Sequence, residues 1–75
     1  MESIQGLVEH IVYHNDTNGY TVFSLMCQGE EIVCVGNVTS LDEGEYLKAE
    51  GEYTEHQVYG RQFKVTSMSV EVPEE

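Results

Sequence analysis

FKVTSMSVEV, residues 63–72, carries its apolar side chains in two incompatible phases. Phe63 and Val65 stand at odd positions, whereas Met68, Val70 and Val72 stand at even ones. Side chains alternate across a strand, so one regular strand cannot bury both sets on the same face. A single extra residue restores the phase, and the sequence predicts it as a β-bulge near Thr66-Ser67. A bulge bends its strand and increases the local twist, which a closing barrel needs and a flat sheet does not. Gly6 and Gly51 point the same way. Each sits inside a β-rich run, where a missing side chain permits sharp coiling.

Four more runs precede this one. Ile4–Tyr13 is rich in Val, Ile and Leu, and Tyr20–Cys27 is β-branched and aromatic. Residues 31–38 read EIVCVGNV. Tyr46–Tyr53 alternates, with Leu47, Ala49, Gly51 and Tyr53 on one face and Lys48, Glu50 and Glu52 on the other. Five such strands, separated by turn clusters, predict an all-β small barrel. Gln28-Gly29-Glu30 reads as a tight hairpin, taken with Gly29-Glu30 as its two-residue turn. Ser40–Gly44 and His56–Gly60 are the other connections. None has the run of about ten periodic residues a helix needs, so a single helical turn at Ser40–Glu43 is the most that fits. The tail after Pro73 is polar, so the domain is expected over 3–72, with 73–75 opening a linker.

The totals narrow the function. A chain of 75 residues is one domain at most. At this size it buries roughly 60% of its unfolded surface, which leaves a thin core and no room for a deep catalytic pocket. Fourteen Asp and Glu face only Lys48, Arg61 and Lys64, for a net charge of -11. Phosphate backbones are bound by neutralising them with Lys and Arg, so the surface as a whole should repel nucleic acid. A basic partner or a basic neighbouring domain fits it better. MESIQGLVEH has charge and glycine where a signal peptide would have an apolar core, and no apolar run approaches a membrane span. A cytoplasmic protein with reduced thiols is expected.

HNDTNG, from His14 to Gly19, imitates the front of a calcium loop, but its first position is His and its twelfth is Leu25, where a bidentate Glu is required. Asn18-Gly19 reads better as a turn with one positive φ, with Asn15 and Asp16 forming Asx-turns and Tyr20 opening the next strand. His10 and His14 would share a strand face roughly 13 Å apart, too far for one metal. Cys27 and Cys34 would sit diagonally about 7–8 Å apart, which suits two buried thiols better than a disulfide or a zinc site. No nucleophile elbow, phosphate loop or dinucleotide fingerprint is present, so no catalytic residue, no metal site and no cofactor are expected in this chain. HQVYGRQFKV, residues 56–65, holds two of the three cations among aromatics. Tyr59, Arg61, Phe63 and Lys64 are the candidate nucleic-acid-binding residues, since an aromatic can stack a base while a cation meets its phosphate.

Three stretches together resemble a known family. His14, Asn15, Asn18, Gly19 and Tyr20 form an H-N-x-x-N-G-Y segment. Val35, Gly36, Leu41, Gly44 and Glu45 form V-G-x-x-x-x-L-x-x-G-E. Gly51, Tyr53, His56, Tyr59, Gly60, Gln62 and Phe63 form G-x-[WY]-x-x-H-x-x-Y-G-x-Q-F. In this order they are similar to the N-terminal domain of RecD-like ATP-dependent DNA helicases, the exodeoxyribonuclease V alpha subunit family of DNA repair. The resemblance implies a five-stranded OB-like (Greek-key) barrel that precedes a helix-hairpin-helix region and ATPase domains. It implies a parent that unwinds DNA using ATP and magnesium, through motifs in downstream domains. None of those motifs maps onto this chain. The expectation is therefore a non-catalytic accessory domain that packs on the helicase core or a protein partner, reaching DNA through the parent. The alternative is a single-stranded nucleic-acid-binding module using His56–Lys64. Its acidity, and the lack of a helix between the third and fourth strands, set it apart from an OB domain that grips DNA.

Overall fold

The computed structural model describes residues 1–38, 41–58 and 60–71. They form five strands: β1 (Glu2–His14), β2 (Tyr20–Cys27), β3 (Glu30–Asn37), β4 (Tyr46–His56) and β5 (Gly60–Val70). The strands close into a barrel in the order β1-β2-β3-β5-β4. All neighbours are antiparallel except β3 and β5, whose parallel seam is registered at Cys34↔Phe63 and Val35↔Lys64. This is the expected all-β OB-like barrel, with no helix among the described residues. The expected end of the last strand at Val72, and the start of the helical turn at Ser40, lie outside those residues.

β1 makes closure possible because it serves two neighbours. Its first half pairs with β4, from Glu2↔Gly51 to Leu7↔Tyr46. Its second half pairs with β2, from Leu7↔Met26 to His14↔Thr21. At the crossover a Cβ on Gly6 would run into the Met26 carbonyl oxygen, so only glycine lets the two ladders meet. Register steps leave Glu9 and Val12 of β1 unpaired, as two bulges the sequence reading did not foresee. Beyond Leu7, β1 outruns its ladder with β4, and the backbone groups on that edge must find other partners. The turn before β4 provides them: the Ile11 N–H donates to the Glu43 carboxylate at 3.0 Å. Gly44 N–H donates to Val8 O, and Val8 N–H donates to Glu45 O, both at 2.8 Å.

The bulge expected in the last strand is present. Glu50 faces Ser67 and Gly51 faces Val65, so Thr66 is the extra residue. Phe63, Val65 and Met68 thereby all turn toward the interior, Phe63 within the core and the other two against it. Here too glycine is obligatory, because a Cβ on Gly51 would run into the Lys64 carbonyl oxygen. The core is built from Val8, Phe23, Leu25, Cys34, Leu47, Ala49 and Phe63, all on strands. Val38 joins it, and Leu41 packs against it from the β3–β4 connection. These two apolar residues occupy the stretch of chain where many OB folds carry a helix.

Two registers differ from expectation. The β2–β3 turn is Gln28-Gly29, not Gly29-Glu30: both residues have positive φ, 50° and 85°, and Cys27 faces Glu30. That mirror-image turn matches the twist of the flanking strands. Cys34 therefore faces Phe23, two positions beyond the predicted partner, and the two thiols are not diagonal neighbours. Both cysteines are free. The Val12 bulge also breaks the expected shared face of His10 and His14. His14 faces inward-pointing Thr21, whereas His10 faces Ser24 on the alternate parity.

The glycines allow a graded test by urea unfolding. Gly51→Ala should destabilise the barrel by about 2 kcal/mol or more, as overpacking against backbone does. Gly29→Ala meets open space but a φ of +85°, and should lose only about 1 kcal/mol. Equal losses would show that steric exclusion at the bulge does not set the register.

Candidate ligand-binding face

The β1–β2 corner spends its polar groups on itself. Asn15 Oδ1 accepts from Thr17 N–H at 2.8 Å and Asn18 N–H at 3.4 Å. Asn18 Oδ1 accepts from Tyr20 N–H at 2.9 Å. Gly19 takes the positive φ, 78°, and its N–H donates to Asn15 O at 2.8 Å. Asn37 Nδ2 donates to Asn18 O at 2.8 Å, and Val38 N–H donates to Gly19 O at 2.9 Å, which clamps the corner onto β3. Asx-turns form at Asn15 and Asn18. Asp16, expected to form one, instead lies 3.2 Å from His14 Nε2 with its side chain 97% exposed. Thr21 Oγ1 donates to Gly19 O at 3.0 Å, so its 2.8 Å contact with His14 Nδ1 needs the proton on that nitrogen. The segment is a strand-to-strand corner that holds Tyr20 at the head of β2.

The expected basic-aromatic cluster is dispersed. Tyr59 lies outside the described residues. Phe63 is fully buried, edge-on to Tyr53 at 5.0 Å between ring centroids and 78° between planes. It offers no face to a base, and its role as a stacking residue is corrected to that of a core residue. Its parity puts it opposite Cys34 of β3 and Tyr53 of β4, on the inner side. Arg61 stands 4.2 Å above the Tyr53 ring, a cation–π contact that completes a stack from core to surface. Lys64 is exposed on the other side of β5, in register with Glu52 and Val35. Alternation along the strand thus sends the two cations to opposite faces.

A different constellation appears on the outer face of β2 and β3. Tyr13, Val22 and Val35 form one cross-strand row, while Val33 faces Ser24 in the next. The bulged Val12 and Tyr20 extend the surface toward the β1–β2 corner. Between that corner and the β4–β5 turn lies a groove of about 580 Å³, lined by Val12, Tyr13, Tyr20, Val22 and Val33, with His56 and Gln62 at one side. Val12 is 62% exposed and Tyr13 50%. The Tyr13 and Tyr20 rings meet at 6.4 Å and 56°, and Asn15 Nδ2 donates to the Tyr13 hydroxyl at 3.2 Å. In OB folds the strand 2–3 face and these two loops are the usual ligand platform. No Lys or Arg is among the residues lining this groove. The sequence reading missed it because the Val12 bulge decides where Tyr13 points. One signal was available: YTVF places apolar or aromatic side chains on both faces of β2.

The remaining reactive groups are subdued. Burial pushes the Cys34 thiol up to about 12, with Cys27 adding a smaller effect. Burial, then Glu30, raises Cys27 as well. No group of three or more His, Cys, Asp or Glu residues is arranged to hold a metal among the described residues. No helix among the described residues is long and apolar enough to cross a membrane.

The model of one protein family, described as the OB-fold domain of the ATP-dependent DNA helicase YrrC, matches residues 1–73.

Truncating Phe63 and Arg61 separates core from surface. Phe63→Ala should unfold the domain or destabilise it by about 3–5 kcal/mol. Arg61→Ala should lose about 0.5–1 kcal/mol, the usual worth of an exposed cation–π contact. Comparable thermal unfolding curves for the two would overturn the placement of Phe63. The Cys34 thiol adds an alkaline test. Its folded-state value lies above the unfolded 9.0, so its contribution is intact below pH 9 and is lost as pH rises toward 12. Between pH 8 and 11, Cys34→Ala should lose less stability than the parent chain in urea melts at each pH.

Proposed function

The chain belongs to the family of OB-fold domains of YrrC-type ATP-dependent DNA helicases, and on that premise we propose that it is a non-catalytic accessory domain packing on the helicase core or on a protein partner. The charge distribution carries this reading. Fourteen carboxylates stand against three cations, and the two cations of the basic segment leave β5 on opposite faces. Such a surface positions a protein neighbour more readily than it grips phosphates. The finer assignments belong to the same proposal. The parent is a RecD-like helicase of DNA repair, acting in the cytoplasm. Its ATP and magnesium sites lie in downstream domains, and its DNA is contacted there. The described strands of the barrel run from Glu2 to Val70.

The second reading is a single-stranded nucleic-acid-binding module. One observation favours it: Arg61 lies exposed over Tyr53 beside the β4–β5 turn, where an OB fold receives an oligonucleotide. Tyr59, Arg61 and Lys64 would be its residues.

Two measurements decide. The chain is titrated with fluorescent oligothymidylate from low to high salt, with no binding expected at any salt. Binding that weakens with salt and is lost in Arg61→Ala would establish the second reading. In parallel, the helicase carrying this domain is compared with a version lacking it. The deletion should leave ATP hydrolysis within about threefold while changing unwinding. Complete loss of hydrolysis with the remaining domains folded would overturn the accessory role.

A further inference from the structure

We infer that the groove on the outer face of β2 and β3 docks against the helicase body, on a patch with an apolar centre and a Lys/Arg rim. This deepens the accessory-domain reading and rests on it. The argument starts from alternation. A strand with one face in the core and one in water should read apolar-in, polar-out. Beyond Tyr46, β4 does so, turning Lys48, Glu50 and Glu52 outward, and beyond its bulge β5 turns Ser67 and Ser69 outward. β2 and β3 break the rule with Tyr20, Val22 and Val33, and β1 adds Val12 and Tyr13 to the same surface. Three of the large exposed hydrophobics, Val12, Tyr13 and Tyr20, meet in this groove, whereas Leu7 and Tyr46, paired across β1 and β4, and Val70 are exposed elsewhere.

The face is also held ready. The corner bearing Tyr20 is clamped to β3 through Asn37 and Val38, and the Tyr13 hydroxyl is held by Asn15. Tyr13, held at its hydroxyl, and Tyr20, held at its backbone and against the Tyr13 ring, lose less freedom on binding than mobile side chains would and make good interface anchors.

Charge selects the occupant. The groove has no Lys or Arg in its lining and Arg61 is stacked on Tyr53; Lys64 extends the row beyond Val35, in register with Glu52, and a single cation is too little to neutralise a phosphate chain laid along the face. A second copy of the chain would bring another net charge of -11 against the first. A basic protein surface meets the acids at the edge instead. Asp16 projects from the corner, and Glu31 stands two residues from Val33 on the same side of β3. A helicase body that holds DNA must carry basic surface, and its covalent tether keeps it at high effective concentration.

The test maps the face directly. The ¹⁵N-labelled chain is titrated with the unlabelled helicase body lacking this domain. Amide signals of Val12, Tyr13, Tyr20, Val22 and Val33 should shift or broaden, while those of Lys48 and Glu50 stay. Val33→Glu and Tyr20→Ala should each weaken association at least tenfold, and Glu31→Lys severalfold. Raising salt from 50 to 500 mM should weaken it as well. The wild-type mapping needs no variant, and retained spectral dispersion certifies the fold of each variant. Perturbation centred on another face overturns this inference and leaves the accessory role standing. So does a lack of association when deletion still alters unwinding. Oligothymidylate shifting the same signals would assign the groove to nucleic acid and overturn it.

Discussion

Everything in this barrel depends on β1 serving two ladders at once. A five-stranded sheet becomes a barrel only if one strand bends far enough to pair with both ends of the sheet. β1 does so over Glu2–His14, and the bend falls where Gly6 passes beneath the Met26 carbonyl. Two bulges then coil the second half of the strand, and the turn ahead of β4 satisfies the backbone groups of Val8 and Ile11 on the edge that β4 no longer covers. Gly51, opposite the bulge in β5, provides the matching bend across the barrel. The core is small, so steric necessity at these two glycines, more than the quantity of buried surface, makes one register preferable to its neighbours.

The same bulges shape the outer surface. Val12, unpaired in β1, and Tyr13, turned to the outer side beyond it, meet the outward side chains of β2 and β3. The result is an aromatic and aliphatic groove on an otherwise acidic molecule. Electrostatics and shape then separate two roles that share a fold. The OB architecture places a ligand platform here, while the charges around this particular platform disfavour a polyanion. The Phe63–Tyr53–Arg61 stack, drawn from β5 and β4, illustrates the division, since its innermost member is core and its outermost is surface.

Much of this could be read from residues alone. The phase change between Val65 and Met68 located the bulge near Thr66-Ser67, and the register singles out Thr66. Alternation in β4 named its buried face, and the strand glycines pointed to closure. The Asn15–Gly19 corner was recognised by its turn chemistry. Elsewhere local rules were insufficient. The β2–β3 turn moved back by one residue because Gln28 accepted a left-handed conformation, which the sequence pattern does not advertise. Phe63 looked like a surface aromatic beside two cations, and only its partners Cys34 and Tyr53 show that it faces inward.

By itself the amino-acid sequence determined the strand content, the acidity and the turn positions to within a residue or so, because alternation, charge and turn propensity act over a few neighbouring residues. The tertiary structure decided which side of the sheet Tyr13 and His10 occupy, which aromatics reach the surface, and that Val12, Tyr13, Tyr20, Val22 and Val33 form one groove. Those outcomes depend on bulges in β1 and on pairing between strands distant in the chain. A one-residue slip reverses every side chain beyond it, and the residue that slips is chosen by the partner strand.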